Sequence, residues 1–133
     1  MKKILVAFDG GEPARRALVL AADLAQRYGA AVGVVSVIPF RPGRSPIDPW
    51  DDRAVHTAEL AEARNLLAER GIVAVLHEPA GDPARSIEKI AEDEVYDMVV
   101  VGSRGLGAVS RALQGSVSEH VATHSTATVV VAR

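Results

Sequence analysis

The stretch ILVAFDGGEPARRALVLAADLAQRYGAAVGVVSVI, Ile4 to Ile38, decides the fold class. It opens and closes with short apolar runs rich in β-branched residues. Such nearly continuous runs are typical of strands buried on both faces of a parallel sheet. Pro13 stands where a first helical turn tolerates proline, and Gly29 stands where a helix would end. Between them, apolar residues recur at helical spacing and predict a buried helix face: Ala14, Ala17, Leu18, Ala21, Leu24, Ala25 and Tyr28.

The rest of the chain repeats this alternation. A second helix is predicted from Asp52 to Arg70, a third from Asp82 and Pro83, and a fourth from near Ser116. The order βαβαβαβαβ with right-handed crossovers predicts an α/β fold, an open doubly wound five-stranded parallel sheet with helices on both faces. We expect the Rossmann-like strand order 3-2-1-4-5, within one domain over residues 1–133. The five predicted strands are Ile4–Phe8, Ala31–Ile38, Ile72–Leu76, Met98–Val101 and Thr128–Ala132.

Composition narrows the function. A chain of 133 residues with 48% hydrophobic content is long enough to bury the core of one domain. The formal charge is -2 and the sequence has no block of like charges, so it predicts no basic surface that would attract nucleic acid. We therefore expect no nucleic acid partner. No apolar run approaches the length of a membrane span, and there is no cysteine. We expect a cytoplasmic protein that does not bind a membrane.

Two glycine-rich turns follow predicted strands. Asp9, Gly10 and Gly11 leave the first strand, and the segment from Gly102 to Gly115 leaves the fourth. In open α/β sheets, ligands bind beyond the carboxyl ends of the strands, where the strand order reverses. With the predicted order, the first and fourth strands are neighbours at that point. Both turns should therefore face one crevice.

The glycine segment fits no common phosphate-binding motif. A dinucleotide fingerprint fails at Ser110, and a P-loop fails at Ala108 and Val109. Its actual pattern is Gly102-x2-Gly105-x9-Gly115-Ser116. That pattern resembles the signature of the nucleotide-binding subgroup of the universal stress protein family. The segments KILVAFDG, GDPARSI, DMVVVGSRGLG and GSVSEHV also resemble family segments in the same order, so the resemblance covers nearly the whole chain.

The resemblance implies an adenine nucleotide site and a homodimer. Asp9 and the backbone of Val37 would hold the adenine, and the ligand would be ATP, or else ADP or AMP, with Mg²⁺ on its phosphates. The dimer would form through the last strand, Thr128 to Ala132. The chain departs from the family at Gly11, where serine is common, and lacks the proline that often precedes the last strand. The residues that would line the ribose and phosphates are Gly102, Gly105, Gly115, Ser116 and Val117. Val101 and Arg104 are further cofactor-binding candidates, Arg104 for its positive charge.

Two of these residues also have purely structural interpretations. Glycines let amide groups converge on an oxyanion, and a helix beginning after Gly115 offers unpaired N–H groups to phosphate. However, Ser116 and Glu119 also form a capping box, which explains the serine without a ligand. Asp9 is equally suited to an Asx turn before the first helix. Both interpretations stay open for both residues.

The remaining candidates carry weaker signals. His120 and His124 lie four residues apart, but no third ligand follows at suitable spacing, so we predict no metal site. His56 and His77 are isolated in the sequence. The segment Pro39 to Trp50 contains four prolines, which predict an irregular surface loop.

Three classes of function remain. The first is a nucleotide-dependent sensor or regulator read by an unidentified protein partner in a stress response. The second is a slow ATPase or phosphotransfer enzyme, and the third is a dimeric scaffold that binds no nucleotide. The sequence has no P-loop lysine and no evident general base near the expected phosphates, so we predict no catalytic residues. We favour the sensor.

Overall fold

The computed structural model describes residues 2–39, 53–102 and 127–132. Five parallel strands form the main sheet, in the order β4-β2-β1-β6-β7. Counted among these five, the order is the predicted 3-2-1-4-5, and the doubly wound α/β class is confirmed. The elements are β1 (Lys3–Ala7), α1 (Glu12–Tyr28), β2 (Ala31–Val35), β3 (Ile38–Pro39), α2 (Arg53–Ala68), β4 (Ala74–His77), β5 (Ala80–Gly81), α3 (Pro83–Asp93), β6 (Met98–Gly102) and β7 (Thr128–Ala132).

The helices cover both faces of the sheet. Alternate side chains of β1 point to opposite faces, so Ile4 and Val6 pack with α1 and α2, while Leu5 and Ala7 pack with α3. Helices α1 and α2 lie on the same face of the sheet. The connection from β1 through α1 to β2 and the connection from β2 through α2 to β4 both lead toward the β4 edge. The crossover through α3 returns across the sheet and lies on the other face, as right-handed connections require.

Local sequence signals set the helix ends. Helix α1 ends at Gly29, whose left-handed φ of 65° lets its N–H bond to the carbonyl of Ala25. Helix α3 begins after Asp82, whose carboxylate accepts the N–H of Arg85 at 3.0 Å. Both boundaries match the predicted ones.

The second predicted strand is interrupted. Strand β2 ends at Val35, and the chain resumes pairing at Ile38 in β3, which forms a separate two-stranded parallel sheet with β5. Pro39 pairs with Gly81 there, so Pro39 does not belong to the irregular loop predicted for Pro39 to Trp50. Proline is tolerated because this small sheet has only edge strands.

Burial on both faces was predicted for every strand and is wrong for β4 and β7. Both lie at edges of the sheet and are only partly buried, with Val75 of β4 58% exposed and Val131 of β7 42% exposed. Tyr28 was predicted to face the core, but it is 61% exposed in the last turn of α1. Within the described residues, no helix is sufficiently long and apolar to cross a membrane.

Candidate functional site

The candidate site lies at the carboxyl ends of β1, β2 and β6. Strand β1 pairs with β2 on one side and with β6 on the other, and both pairings are parallel. The strand order reverses between β1 and β6, which is where ligands bind in this class of sheet. The predicted contact between the first and fourth long strands is therefore confirmed.

Asp9 follows β1 and forms a tight local turn. Its Oδ1 accepts the N–H of Gly11 at 2.8 Å, an Asx turn, while Gly11 itself is the helix N-cap and has no side chain to cap with. Burial raises the pKa of the Asp9 carboxyl, and the hydrogen bond from Gly11 offsets part of this rise. Oδ2 has no hydrogen-bond donor from any other described residue. The turn therefore uses one carboxylate oxygen and leaves the other free of described donors.

Val37 lies opposite Asp9 when the strand register is continued. Ala7 pairs with Val35, so two residues further the partners are Asp9 and Val37. The N–H of Ser36 donates to the backbone carbonyl of His77 at 3.1 Å, on the side of Ser36 that faces β4. Because backbone groups alternate in direction along an extended chain, the N–H and C=O of Val37 point to the other side, toward Asp9.

No hydrogen bond joins the backbone of Val37 to another described residue. Its side chain is buried in the core on the α3 face, so only the backbone is available at the site. The family resemblance predicts a backbone contact at this residue, and that contact stays a prediction. Val101 is likewise buried in that core, and its side chain does not reach the end of the sheet.

Gly102 ends β6 directly beneath the first turn of α1. A Cβ built on it would lie 2.8 Å from Cβ of Pro13 and 2.9 Å from the Pro13 carbonyl carbon. No side chain fits there, so helix packing alone requires this glycine. The same contact places the N-terminus of α1 at the switch between β1 and β6.

A buried polar cluster, which we term the Ser36 network, was missed by the sequence reasoning. It consists of Ser36, His56 and Glu59, and the expectation that His56 is isolated was wrong. The Ser36 Oγ lies 2.9 Å from His56 Nδ1 and 3.1 Å from Glu59 Oε2. His56 Nδ1 lies 3.4 Å from Glu59 Oε2. The one sequence signal was the i,i+3 spacing of His56 and Glu59 on a helix.

Burial is the main cause that raises the pKa of the Glu59 carboxyl. His56 and the Ser36 hydroxyl oppose this rise, and the nearby Asp9 carboxylate adds to it. Glu59 and Asp9 are therefore close enough to interact electrostatically. His77 is not isolated either, because its Nε2 lies 2.8 Å from the Tyr96 hydroxyl.

The other sequence predictions fall outside the described residues. They include the fourth helix, the histidine pair and most of the proline-rich segment. Within residues 2–39, 53–102 and 127–132, no group of three histidine, aspartate or glutamate side chains is placed to hold a metal ion. The predicted phosphate-lining residues that lie outside are Arg104, Gly105, Gly115, Ser116 and Val117.

Comparison with known proteins defines the family. The model of the universal stress protein family matches residues 1–133. A universal stress protein of Thermus aquaticus is 33% identical over 99% of this chain and 98% of its own length. The chain therefore belongs to the universal stress protein family.

Solved structures share its fold. A universal stress protein from Archaeoglobus fulgidus, solved in complex with dAMP, is 24% identical with a TM-score of 0.78, covering 100% of this chain and 98% of that one. An Arabidopsis thaliana family member with AMP bound is 22% identical with a TM-score of 0.66, covering 99% and 91%. At these identities the similarity establishes the fold, and the bound nucleotides belong to those proteins.

Proposed function

We propose that this protein binds an adenine nucleotide, ATP with Mg²⁺, at the carboxyl ends of β1, β2 and β6. The observation that carries the proposal is the pair formed by Asp9 and Val37. When the register is continued, the Asp9 carboxylate and the Val37 backbone amide lie side by side where the strand order reverses, and the Val37 amide has no hydrogen bond to another described residue. Adenine offers an amino donor beside a ring-nitrogen acceptor, which complements these groups. The bound dAMP and AMP in two relatives of the same fold support this assignment.

The same geometry favours adenine over guanine. Guanine places a carbonyl oxygen where adenine has its amino group, and that oxygen would face the Asp9 carboxylate. A site with buried polar groups rejects a ligand that leaves them unpaired. We therefore expect ATP to bind at least about tenfold more tightly than GTP.

Calorimetric titration of the purified protein with ATP, ADP, AMP and GTP, each with Mg²⁺, tests the proposal. Native mass spectrometry of protein purified without added nucleotide provides a second readout, in which we expect a co-purified adenine nucleotide. Absence of binding for all three adenine nucleotides at millimolar concentration would leave the scaffold as the better function.

We propose that nucleotide occupancy regulates an unidentified protein partner in the cytoplasm, and that turnover is slow. The sequence offers no P-loop lysine to stabilise a transferring phosphoryl group. Phosphate release should be far slower than the roughly 1 to 100 turnovers per second of kinases. Sustained release at such rates from protein free of contaminating ATPase would favour the enzyme class instead.

We also propose a homodimer through β7, an edge strand of the main sheet. The N–H of Thr128 donates to Asp97 on the β6 side, so by alternation the N–H of Val131 points outward. Val131→Pro should remove an outward donor without breaking the β6 ladder, and it should yield a folded monomer. Light scattering measures the mass, and a wild-type monomer at micromolar concentration would exclude this dimer.

A further inference from the structure

The Ser36 network touches both chain segments that would hold the nucleobase. Ser36 directly precedes Val37, whose backbone faces the site. On the other side, a Cβ built on Gly10 would lie 3.5 Å from Cγ of Glu59, so the glutamate side chain lies against the turn that carries Asp9. One cluster therefore links α2 to the ends of both β1 and β2.

With Glu59 ionised, the hydrogen bonds of the network have a definite direction. A serine hydroxyl carries one proton, and the acceptor-only Glu59 carboxylate receives it. The bond between Ser36 Oγ and His56 Nδ1 then requires the proton on that nitrogen. His56 donates to Ser36, and Ser36 donates to Glu59. His56 Nε2 is buried and has no partner among the described residues, so the imidazole engages the network through Nδ1 alone.

These bonds hold the backbone on either side of Val37. The backbone N–H of Ser36 donates to the carbonyl of His77, and its hydroxyl forms hydrogen bonds with His56 and Glu59 of α2. These bonds fix the position of Ser36. Ile38 is fixed by its N–H, which donates to the carbonyl of Pro79 at 2.8 Å. The peptide groups of Val37 lie between these two anchored residues and are held without a strand partner of their own among the described residues.

Stability alone does not account for such a cluster. Buried polar groups carry a desolvation cost, and well-packed apolar side chains of similar size often stabilise a fold equally well. Polar groups do fix orientation, since hydrogen bonds have direction and apolar contacts do not.

We propose that Ser36, His56 and Glu59 act as positioning residues that hold the Val37 backbone and the Asp9 turn in the geometry that accepts the nucleobase. This inference rests on the proposed nucleotide site. It assigns the residues no contact with the ligand; they act through Val37 and Gly10.

Calorimetric titration of ATP with Mg²⁺ into single variants tests the proposal. Ser36→Ala and Glu59→Leu should each weaken binding about tenfold, because neighbouring coupled groups contribute on this scale. Glu59→Gln keeps an oxygen that accepts from Ser36, so it should stay within about threefold of wild type. Asn65→Leu is the control on the same helix. It removes an exposed contact with Arg64, at 3.4 Å, that lies at neither segment, and it should bind as wild type does.

The double variant and one spectroscopic measurement complete the test. Ser36→Ala with Glu59→Leu should bind within about twofold of either single variant, because the network acts as one unit. Nitrogen-15 NMR of the wild-type imidazole should show His56 protonated at Nδ1. Three results would each overturn the proposal. They are wild-type ATP affinity in Ser36→Ala, losses of affinity in the double variant that equal the product of the two single losses, and a His56 Nδ1 that carries no proton. A wild-type protein that binds no nucleotide would instead overturn the proposed function.

Discussion

Two aspartates occupy opposite ends of the same sheet and differ in how the fold uses them. At the amino end, Asp97 Oδ2 accepts the backbone N–H groups of Lys2 at 2.7 Å and Lys3 at 2.9 Å. These two bonds hold the pKa of its carboxyl below the ordinary value. At the carboxyl end, the Asp9 carboxylate accepts the N–H of Gly11, and burial raises the pKa of its carboxyl.

The comparison shows two uses of a carboxylate. Asp97 stabilises the fold through its hydrogen bonds, whereas Asp9 is proposed to bind a ligand. Asp97 also joins three strands, since its N–H donates to Lys3 of β1 and its carbonyl accepts from Thr128 of β7. Asp9 faces the backbone of Val37, which pairs with no described strand. The Asp97 backbone and carboxylate are therefore used in bonds between strands, whereas the Val37 backbone at the carboxyl end has no hydrogen bond to another described residue.

The largest effect expected at the carboxyl end is that of Gly115→Val. If the backbone there approaches the phosphates, a side chain occupies the ligand's space, and binding of ATP with Mg²⁺ should be abolished in a folded protein. Ser116→Ala should do less, at about 0.5 to 2 kcal/mol of helix stability if only the cap is lost. Calorimetry and circular dichroism measure both quantities. Wild-type affinity in Gly115→Val would show that this glycine is not part of a phosphate site.

The two aspartates can be compared directly by alanine substitution. Asp9→Ala should weaken ATP binding by roughly 10- to 100-fold, since a hydrogen bond to a charged group contributes about 1.5 to 3 kcal/mol. Its melting temperature should change little. Asp97→Ala should do the reverse, lowering the melting temperature while ATP affinity stays at the wild-type level. Equal loss of affinity in both variants would remove the distinction between the two ends.

Gly102→Val tests whether packing accounts for the glycine at the end of β6. The new side chain would meet the backbone of Pro13, which cannot rotate away, and overpacking of this kind costs about 1 to 3 kcal/mol. Ala80→Val places the same side chain on an exposed strand residue and should change stability by less than about 0.5 kcal/mol. Urea denaturation gives both values. A Gly102→Val protein as stable as the control would contradict the close approach of α1.

The smallest expected effect is on the pH dependence of stability. The lowered pKa of Asp97 means that its contribution is present above the unfolded value of 3.8 and is lost as pH falls through the folded pKa. The raised pKa of Asp9 has the opposite sign, so its cost to stability is absent below the unfolded value of 3.8, grows as pH rises and is complete above the folded pKa. At neutral pH, Asp97→Asn should melt below wild type and Asp9→Asn above it. Thermal melts from about pH 7 to about pH 3 should show both differences shrinking.

Local sequence signals predicted the elements correctly where neighbouring residues decide them. Gly29 ends α1 because few other residues adopt a left-handed φ, and Asp82 begins α3 because its carboxylate bonds within the next turn. Burial of β4 was misjudged because its apolar residues look like those of a central strand. The predicted strand order already placed it at an edge, and the structure agrees with that order.

The candidate site also contains features that the local sequence predicts and features that depend on tertiary packing. The glycine spacing and Asp9 were readable from the sequence, because they depend on what a short stretch of backbone can do. The Ser36 network was not, because Ser36 and His56 stand twenty residues apart and meet only when α2 packs over the end of β2.

Side-chain spacing and backbone preference within a few residues were enough to predict the alternation of strands and helices, their caps and the parallel class of sheet. Packing between distant parts of the chain settles which polar groups lack a partner among the described residues. The direction of the Val37 amide depends on where β2 stops pairing with β1, and the lack of space at Gly102 depends on where Pro13 comes to lie. Such contacts join residues that are distant along the chain, and a hydrogen bond or a clash exists only once packing has fixed the distance between them.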